Sequence, residues 1–462
     1  MKATGRGQGH VSGTRIASIS GLRGIVGDGL DPAVAVEFAA AYAAGCAQGS
    51  IVVGHDGRVS APVFVSAVLA GVTGTGRDAL LVGAAATPTL GRLVRDQRAA
   101  GGIQISASHN PTEYNGLKFF QPEGMVLGAA KGKAVLDRLD ARQFDWAPWH
   151  ALGRVRTLDD PDLSHLNALL ELVDRDAIRS RKFAVVLDAC HGAGGRMGAA
   201  LLRALGCEAV ILGGVADGFY DHAPEPTEAN LRSFAAVVAA TGAAIGFAQD
   251  PDADRLAIVD ETGRYIGEEL TLALAAEKRL AQVKGPVVLN LSTSRVTEVL
   301  ASRLGCPVHR TPVGEIHVVE QMRAVGAVLG GEGNGGVIDP RVGFVRDSFV
   351  AMALVLDLLA EADEPLSRLV DRLPRYAMVK QRYPLIHPAG DGHADLFDRI
   401  AEAYPDANFD RRDGLRLDWP DRWAHVRASN TEPIVRVIAE AEDSARAQDL
   451  ARSLGRAINN EQ

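Results

Sequence analysis

Cysteine is scarce in this chain: four stand among 462 residues, at positions 46, 190, 207 and 306. No two have the spacing of a zinc ribbon or a dithiol redox motif, so both classes are excluded. Cys46, Cys190, Cys207 and Cys306 are expected to be free, buried thiols of a reducing cytoplasm. Long apolar runs are absent too, and none reaches the length of a membrane span. The first dozen residues are polar and glycine-rich, without the apolar centre of a signal peptide. The expected setting is therefore cytoplasmic, with no membrane partner. Basic runs are also missing. Asp and Glu number 57 against 49 Lys and Arg, a formal charge of −8, and no stretch has the footprint of a nucleic-acid binder. What remains is 47% hydrophobic, ample for packed cores. The length suggests three domains, or four small ones. Oligomeric state is left open between monomer and homodimer.

A strand–turn–helix–strand pattern occurs three times. It runs from Ile51-Val52-Val53-Gly54 through a helical stretch at 61–71 to Ala79-Leu80-Leu81-Val82-Gly83. It returns from Ala184-Val185-Val186-Leu187-Asp188 through 192–205 to Ala209-Val210-Ile211-Leu212. A third copy runs from Pro286-Val287-Val288-Leu289-Asn290 through 296–304 to Pro307-Val308-His309. Continuous β-branched runs joined by helices predict buried, largely parallel strands in βαβ units. Beyond Tyr376 the pattern changes to strands at 379–383, 415–417, 423–428 and 435–441, with helices at 394–403 and 444–459. The expectation is three related α/β domains with mixed, largely parallel sheets, at 1–153, 154–260 and 261–373. A smaller α+β domain follows at 374–462, and the four surround a central cleft.

Four polar segments stand out. Ser108 and His109 follow the strand-like run Gly102-Ile103-Gln104-Ile105, in a turn punctuated by Asn110-Pro111 and Asn115-Gly116. Lys118 follows. An exposed hydroxyl, a proton handler and a cation suit nucleophilic chemistry, although a lone Ser-His pair is more often an ordinary polar loop. Asp250, Asp252 and Asp254 alternate on a tight turn between two apolar runs. Such carboxylates raise one another's pKa unless a cation intervenes, and a hard divalent ion prefers oxygen ligands; the alternative is a solvated acidic turn. Arg427-Ala428-Ser429-Asn430-Thr431-Glu432-Pro433, with Arg436 beyond, is dense in donors that fit phosphate oxygens, or is an Asx-type turn with surface arginines. Gly330-Gly331-Glu332-Gly333-Asn334-Gly335-Gly336 lets backbone approach a ligand closely, or is merely flexible.

Taken in order, these segments resemble the α-D-phosphohexomutase family, and the resemblance covers nearly the whole chain. Ser108 matches the family's phosphoserine and Asp250, Asp252 and Asp254 its Mg²⁺ loop. Glu332 and Asn334 fall on its sugar loop, and Arg427, Ser429, Asn430 and Thr431 on its phosphate loop. Ser20-Gly21-Leu22-Arg23-Gly24 is similar to its N-terminal signature. Gly54-His55-Asp56-Gly57-Arg58 is similar to its Gly-Arg-Asp-x-Arg turn, with histidine for the first arginine. Pro224-Glu225-Pro226-Thr227-Glu228-Ala229-Asn230-Leu231 resembles its Pro-Glu-Pro-Thr-x-Glu-Asn-Leu segment in slightly altered form, and Thr311-Pro312-Val313-Gly314-Glu315 resembles a sugar-contacting loop.

The resemblance implies a mutase that moves phosphate between C6 and C1 of a sugar phosphate, through phosphorylated Ser108 and a 1,6-bisphosphate. One Mg²⁺ would be held by Ser108, Asp250, Asp252 and Asp254. Arg23 and Arg255 would shield the moving charge, Lys118 would act as general acid/base, and His109 as orienter or alternate. Thr311, Gly314, Glu332 and Asn334 would meet the sugar. Arg427, Ser429, Asn430, Thr431 and Arg436 would grip the phosphate that is not reacting. The fourth domain would close as a lid. The Gly-Glu-Gly-Asn-Gly-Gly form resembles the phosphoglucosamine mutase branch, whereas Ser-Asn-Thr-Glu-Pro resembles the phosphomannomutase/phosphoglucomutase form. Glucosamine phosphate is the expected substrate, because the sugar loop should touch the ring. Glucose, mannose and pentose phosphates remain, as do a phosphatase and a silent sugar-phosphate sensor.

Overall fold

The computed structural model describes residues 16–18, 21–384, 394–428 and 434–459. Its first sheet has eight strands: β1 (Ile16–Ser18), β2 (Gly21–Val26), β3 (Gly29–Leu30), β4 (Ile51–His55), β5 (Ala79–Ala84), β6 (Gly101–Ile105), β7 (Tyr114–Phe120) and β8 (Val155–Thr157). Strand β4 lies between β5 and β6, both parallel to it, and β7 returns antiparallel beside β6. The second sheet repeats that order with β9 (Ala184–Asp188), β10 (Glu208–Leu212), β11 (Ile245–Gln249) and β12 (Leu256–Asp260). The third repeats it again with β13 (Val287–Asn290), β14 (Val308–Thr311), β15 (Leu329–Glu332) and β16 (Gly336–Ile338). The central strands β6, β11 and β13 are buried along their whole length, because helices cover both faces and no alternation is needed.

The repeat explains how the site is assembled. In each unit an antiparallel pair, β6–β7, β11–β12 or β15–β16, forms a hairpin, and each hairpin turn carries one of the polar segments: 106–113 with Ser108, 250–255 with the aspartates, 333–335 with Asn334. Equivalent turns of three related units thus converge on one cleft.

The second and third units share one continuous core. It joins Leu187, Leu201, Phe247 and Ile258 to Leu272, Leu289, Phe349 and Leu354. At its centre is the helix Ser348–Ala362, buried on every side from Ser348 to Leu359, as its all-round apolar sequence dictates. Asp347 caps it, accepting from Phe349 N and Val350 N. The Asp347 carboxylate also meets His165 Nε2 at 2.8 Å, and His165 Nδ1 meets Thr89 Oγ1 at 2.9 Å. That buried chain staples the first three units together.

The fourth domain is built differently. Its strands β17 (Ala377–Pro384), β18 (Asn408–Asp410), β19 (Leu415–Asp418), β20 (Trp423–Ala428) and β21 (Ile434–Ala441) form one antiparallel sheet backed by the helices Ala394–Ala403 and Ser444–Asn459. Its core, around Leu415, Leu417, Val426, Val437 and Leu454, draws on this domain alone among the described residues. Docking on the third unit is largely polar. Arg295 reaches Trp419 O and Pro420 O at 2.8 Å each, Arg416 donates to Leu291 O, and Val313 N donates to Asp413 Oδ2 at 2.8 Å.

Three sequence expectations are corrected. Ser108 is not exposed: it is 3% accessible, because its loop folds inward. Cys190 and Cys306 are buried, but Cys46 and Cys207 are only half-buried. The first sheet runs past residue 153, since β8 pairs in parallel with β5. That strand is three residues long and exposed, so it carries no apolar signal. No helix among the described residues is long and apolar enough to cross a membrane.

Candidate active site

Ser108 stands at φ +50°, a left-handed conformation that a non-glycine residue holds only when its surroundings impose it. Its hydroxyl donates to Asp250 Oδ2 at 2.7 Å and lies 3.2 Å from His109 Nδ1. Its backbone N–H donates to Ser106 Oγ at 2.8 Å. Serine and aspartate loops, 142 residues apart, therefore meet directly. Burial, reinforced by the positive charges of Arg255 and Arg23, drives the His109 pKa down to about 3, so the ring is neutral at physiological pH.

The aspartate loop turns sharply, with Ala253 at φ +54° and its N–H on Asp250 O at 2.9 Å. All three carboxylates are fully buried. Burial and the two neighbouring aspartates push Asp250 well above the usual carboxylate range. Burial pulls Asp252 the same way. There the Lys118 ammonium, by charge and hydrogen bond, with the Thr87 hydroxyl at 2.6 Å, reverses the effect and holds the group low. Asp254 is also held low, burial being outweighed chiefly by Arg346 and Lys118. Burial and mutual repulsion together therefore leave one carboxylate raised, not three.

The set fits a divalent cation. One oxygen from each aspartate lies within 4.8 Å of the others. Asp252 Oδ1 and Asp254 Oδ1 are buried and accept no hydrogen bond. A buried acceptor without a donor is costly, and a hard oxygen-seeking ion satisfies such a pair.

Lys118, on β7, crosses to this loop with Nζ 2.8 Å from Asp252 Oδ2 and 3.1 Å from Asp254 Oδ2. Burial would lower its pKa, but the two carboxylates overcome that and keep it above the ordinary lysine range. Arg23 Nη1 donates to Asn110 Oδ1 at 2.8 Å. Arg255 sits 3.8 Å from Asp254 Oδ1 and 4.0 Å from Glu225 Oε1.

Glu332 ends β15 and is held from three sides, by Asn290 Nδ2 at 2.8 Å, Gly314 N at 3.1 Å and Arg346 Nη1 at 2.9 Å. Gly314 takes φ +130°, open to glycine but not to side chains. Two chambers flank this loop. One of about 440 Å³ is lined by Arg23, Ser108, His109, Lys118 and Arg255. The other, of about 210 Å³, is lined by Ser292, Lys380, His425, Arg427 and Arg436. Val313, Glu332 and Asn334 line both. Arg427 and Arg436 face each other across β20 and β21, and Arg427 Nε donates to Asp413 Oδ1 at 3.0 Å. Thr311 lines neither chamber; it is buried and donates to Pro312 O. Ser429, Asn430 and Thr431 lie outside the described residues.

Sequence reasoning missed Arg346. It lies in Phe344-Val345-Arg346-Asp347 and carries no motif signal, yet its guanidinium joins Asp254 Oδ2 at 2.7 Å, Glu315 Oε2 at 3.0 Å and Glu332 Oε2 at 2.9 Å. It thereby ties the aspartate loop to the loop between the chambers.

Comparison with known proteins accords with this geometry. The chain matches, in order, phosphoglucomutase/phosphomannomutase alpha/beta/alpha domain I over residues 15–146, domain II over 164–263, domain III over 267–376 and the C-terminal domain over 394–456. It is 36% identical over 438 residues to a "Phosphoglucomutase/phosphomannomutase" of Thermococcus kodakarensis, covering 93% of this chain and 95% of that one. It is 35% identical over 437 residues to a "Probable phosphoglucosamine mutase" of Methanopyrus kandleri, again covering 93% and 95%. A crystal structure of a phosphoglucomutase/phosphomannomutase family protein from Burkholderia thailandensis superposes with a TM-score of 0.82 at 27% identity, over 95% of this chain and 96% of that one.

Proposed function

This chain belongs to the phosphoglucomutase/phosphomannomutase family, an isomerase that transfers a phosphoryl group within a sugar phosphate, and on that premise we propose its substrate and mechanism. The substrate is a hexosamine phosphate, glucosamine 6-phosphate or its 1-phosphate. Ser108 carries a phosphoryl group between turnovers. The P–O bond to Ser108 Oγ breaks as a new one forms to the free sugar hydroxyl, giving a 1,6-bisphosphate. The bisphosphate turns over in the cleft, and its other phosphate returns to Ser108. Positioning and charge are the main levers in such a transfer. Mg²⁺ bound by Asp250, Asp252, Asp254 and the phosphorylated Ser108 would act as a Lewis acid on the transferring group. Lys118, kept protonated, gives a proton to Ser108 Oγ as the group leaves, and neutral His109 can accept one. Arg23 and Arg255 shield the moving charge. Arg427 and Arg436, with Ser429, Asn430 and Thr431, hold the distant phosphate. The fourth domain closes over the cleft to exclude water, which would otherwise hydrolyse the phosphoserine.

One observation carries this reading. Two cationic chambers share a wall made of Val313, Glu332 and Asn334, so a ring held at that wall can present either phosphate to Ser108. A phosphatase needs only one chamber. Glu332 and Asn334 face the ring, and their Gly-Glu-Gly-Asn-Gly-Gly setting supports glucosamine phosphate. The second reading is a phosphomannomutase/phosphoglucomutase, supported by the name of the 36% identical relative and by the Ser429-Asn430-Thr431 sequence. A panel of hexose and hexosamine phosphates with catalytic 1,6-bisphosphate separates the two. The expected result is isomer formation fastest on glucosamine phosphate, without phosphate release. Faster turnover of mannose or glucose phosphate would select the second reading, and phosphate release without isomer would reject both.

A further inference from the structure

The serine loop is gripped from behind by a side chain that lines neither chamber. Arg58 follows β4 and is 1% exposed. All five of its side-chain N–H donors are engaged. Nε donates to Asp56 Oδ2 at 3.0 Å. Nη1 donates to Pro111 O at 2.6 Å and Tyr114 O at 3.0 Å. Nη2 donates to Ser108 O and Asn110 O at 2.6 Å each. Four of the five bonds therefore end on backbone carbonyls of the segment 108–114, and no donor is left for a substrate.

The other end of Ser108 is fixed to the same unit. Its N–H donates to Ser106 Oγ, and Ser106 Oγ donates to Asp56 Oδ2 at 2.7 Å. The nitrogen is thus anchored through Ser106 and Asp56, and the carbonyl directly by Arg58. Between those anchors Ser108 adopts its left-handed φ of +50°. The second unit backs the guanidinium: the Tyr220 ring centroid lies 5.5 Å away. A Cβ on Gly218 would come within 2.8 Å of the Arg58 Cα, so the backbone there packs closely.

We propose that Arg58 is a positioning residue for the Ser108 nucleophile, holding the serine loop in its strained form through four carbonyls while Asp56 and Ser106 fix the Ser108 amide. The planar fork is essential to that role. A lysine ammonium has three donors at one point and cannot span four carbonyls. The inference rests on the reading of Ser108 as phosphoryl carrier.

The test compares Arg58→Lys, Arg58→Ala and Ser106→Ala with the full-length parent. Circular dichroism and melting establish folding. Steady-state turnover then separates kcat from KM, and rapid quench follows phosphoryl transfer from glucose 1,6-bisphosphate to Ser108. Arg58→Lys is expected to lose about 100-fold in kcat and in the transfer rate, the scale of a displacement of about 1 Å at a reacting group. Its KM should stay within about twofold of the parent. Millimolar guanidinium should restore about tenfold in Arg58→Ala. A folded Arg58→Lys with parental kcat, or with raised KM and unchanged kcat, overturns the proposal. If neither Arg58 variant folds, Ser106→Ala decides: about tenfold lower kcat at the parental KM supports the proposal, and parental kcat overturns it. An active Ser108→Ala would instead end the underlying reading, whatever Arg58 does.

Discussion

The Ser108 hydroxyl donates a 2.7 Å hydrogen bond to Asp250 Oδ2. Nucleophile and aspartate loop are thereby locked together across the boundary between the first and second units. The contact follows from the repeat, because the hairpin turns 106–113 and 250–255 occupy equivalent places in their sheets.

Asp252→Asn should weaken Mg²⁺ binding and rate together. Asp252 Oδ2 is taken by Lys118 and Thr87, and Oδ1 accepts no hydrogen bond. An amide keeps the shape but loses the charge, and it can turn its NH₂ towards the ion. Isothermal titration without substrate should show Mg²⁺ affinity reduced at least about 10–100-fold, the cost of losing even an outer-shell partner of a metal ligand. Removal of divalent ions from the parent should stop turnover, and Mg²⁺ should restore it. Affinity within twofold of the parent would remove Asp252 from the ligand set.

Arg427→Ala should act on binding. Arg427 lines the smaller chamber, and among the described residues its Nε donates to Asp413 of its own domain. Loss of charged hydrogen bonds to phosphate costs about 1.5–3 kcal/mol, or about 10–100-fold in KM at 1.4 kcal/mol per decade, with kcat changed less. A fall in kcat at constant KM would place Arg427 in the chemical step instead.

Docking of the fourth domain should weaken in acid because of His425. Its Nδ1 meets Ser292 Oγ of the third unit at 2.9 Å, and its Nε2 meets Asp413 O at 2.6 Å. Burial drives its pKa down to about 4, despite the Asp413 backbone carbonyl and carboxylate pulling upward. The unfolded value is about 6.5. A depressed histidine leaves the native state holding fewer protons than the unfolded chain. Its contribution is fully present above about pH 6.5 and is lost as pH falls through about 4. The shift corresponds to roughly 3 kcal/mol. Parent melting should therefore fall more steeply between pH 6.5 and 4 than that of His425→Gln. Parallel curves would show that His425 charges without cost in the fold.

Much of this site was legible in the sequence because each loop is a turn with an unusual residue set. Ser108-His109, the alternating aspartates and the glycine-rich run announce themselves locally, and so do the repeated β-branched strands flanking them. Arg346 does not: it is one arginine in an unremarkable context, and its importance lies in carboxylates brought near by topology. Arg58 ends a recognisable turn motif, but the carbonyls it gathers are brought near only by topology. The burial of Ser108 was misread for the same reason, since turn residues alone suggest exposure. The core shared by the second and third units also left no local mark, because a helix apolar on all sides does not say which sheet will cover it.

The central claim is that Ser108 becomes phosphorylated and passes that group on. Intact-mass spectrometry of the purified enzyme, before and after prolonged incubation with excess sugar monophosphate and removal of the released 1,6-bisphosphate, tests it most directly. The expected result is a population heavier by one phosphoryl group, discharged by substrate, restored by 1,6-bisphosphate and absent in an inactive Ser108→Ala. An enzyme that turns over without ever carrying the added phosphoryl mass, or a Ser108→Ala that stays active, would contradict it.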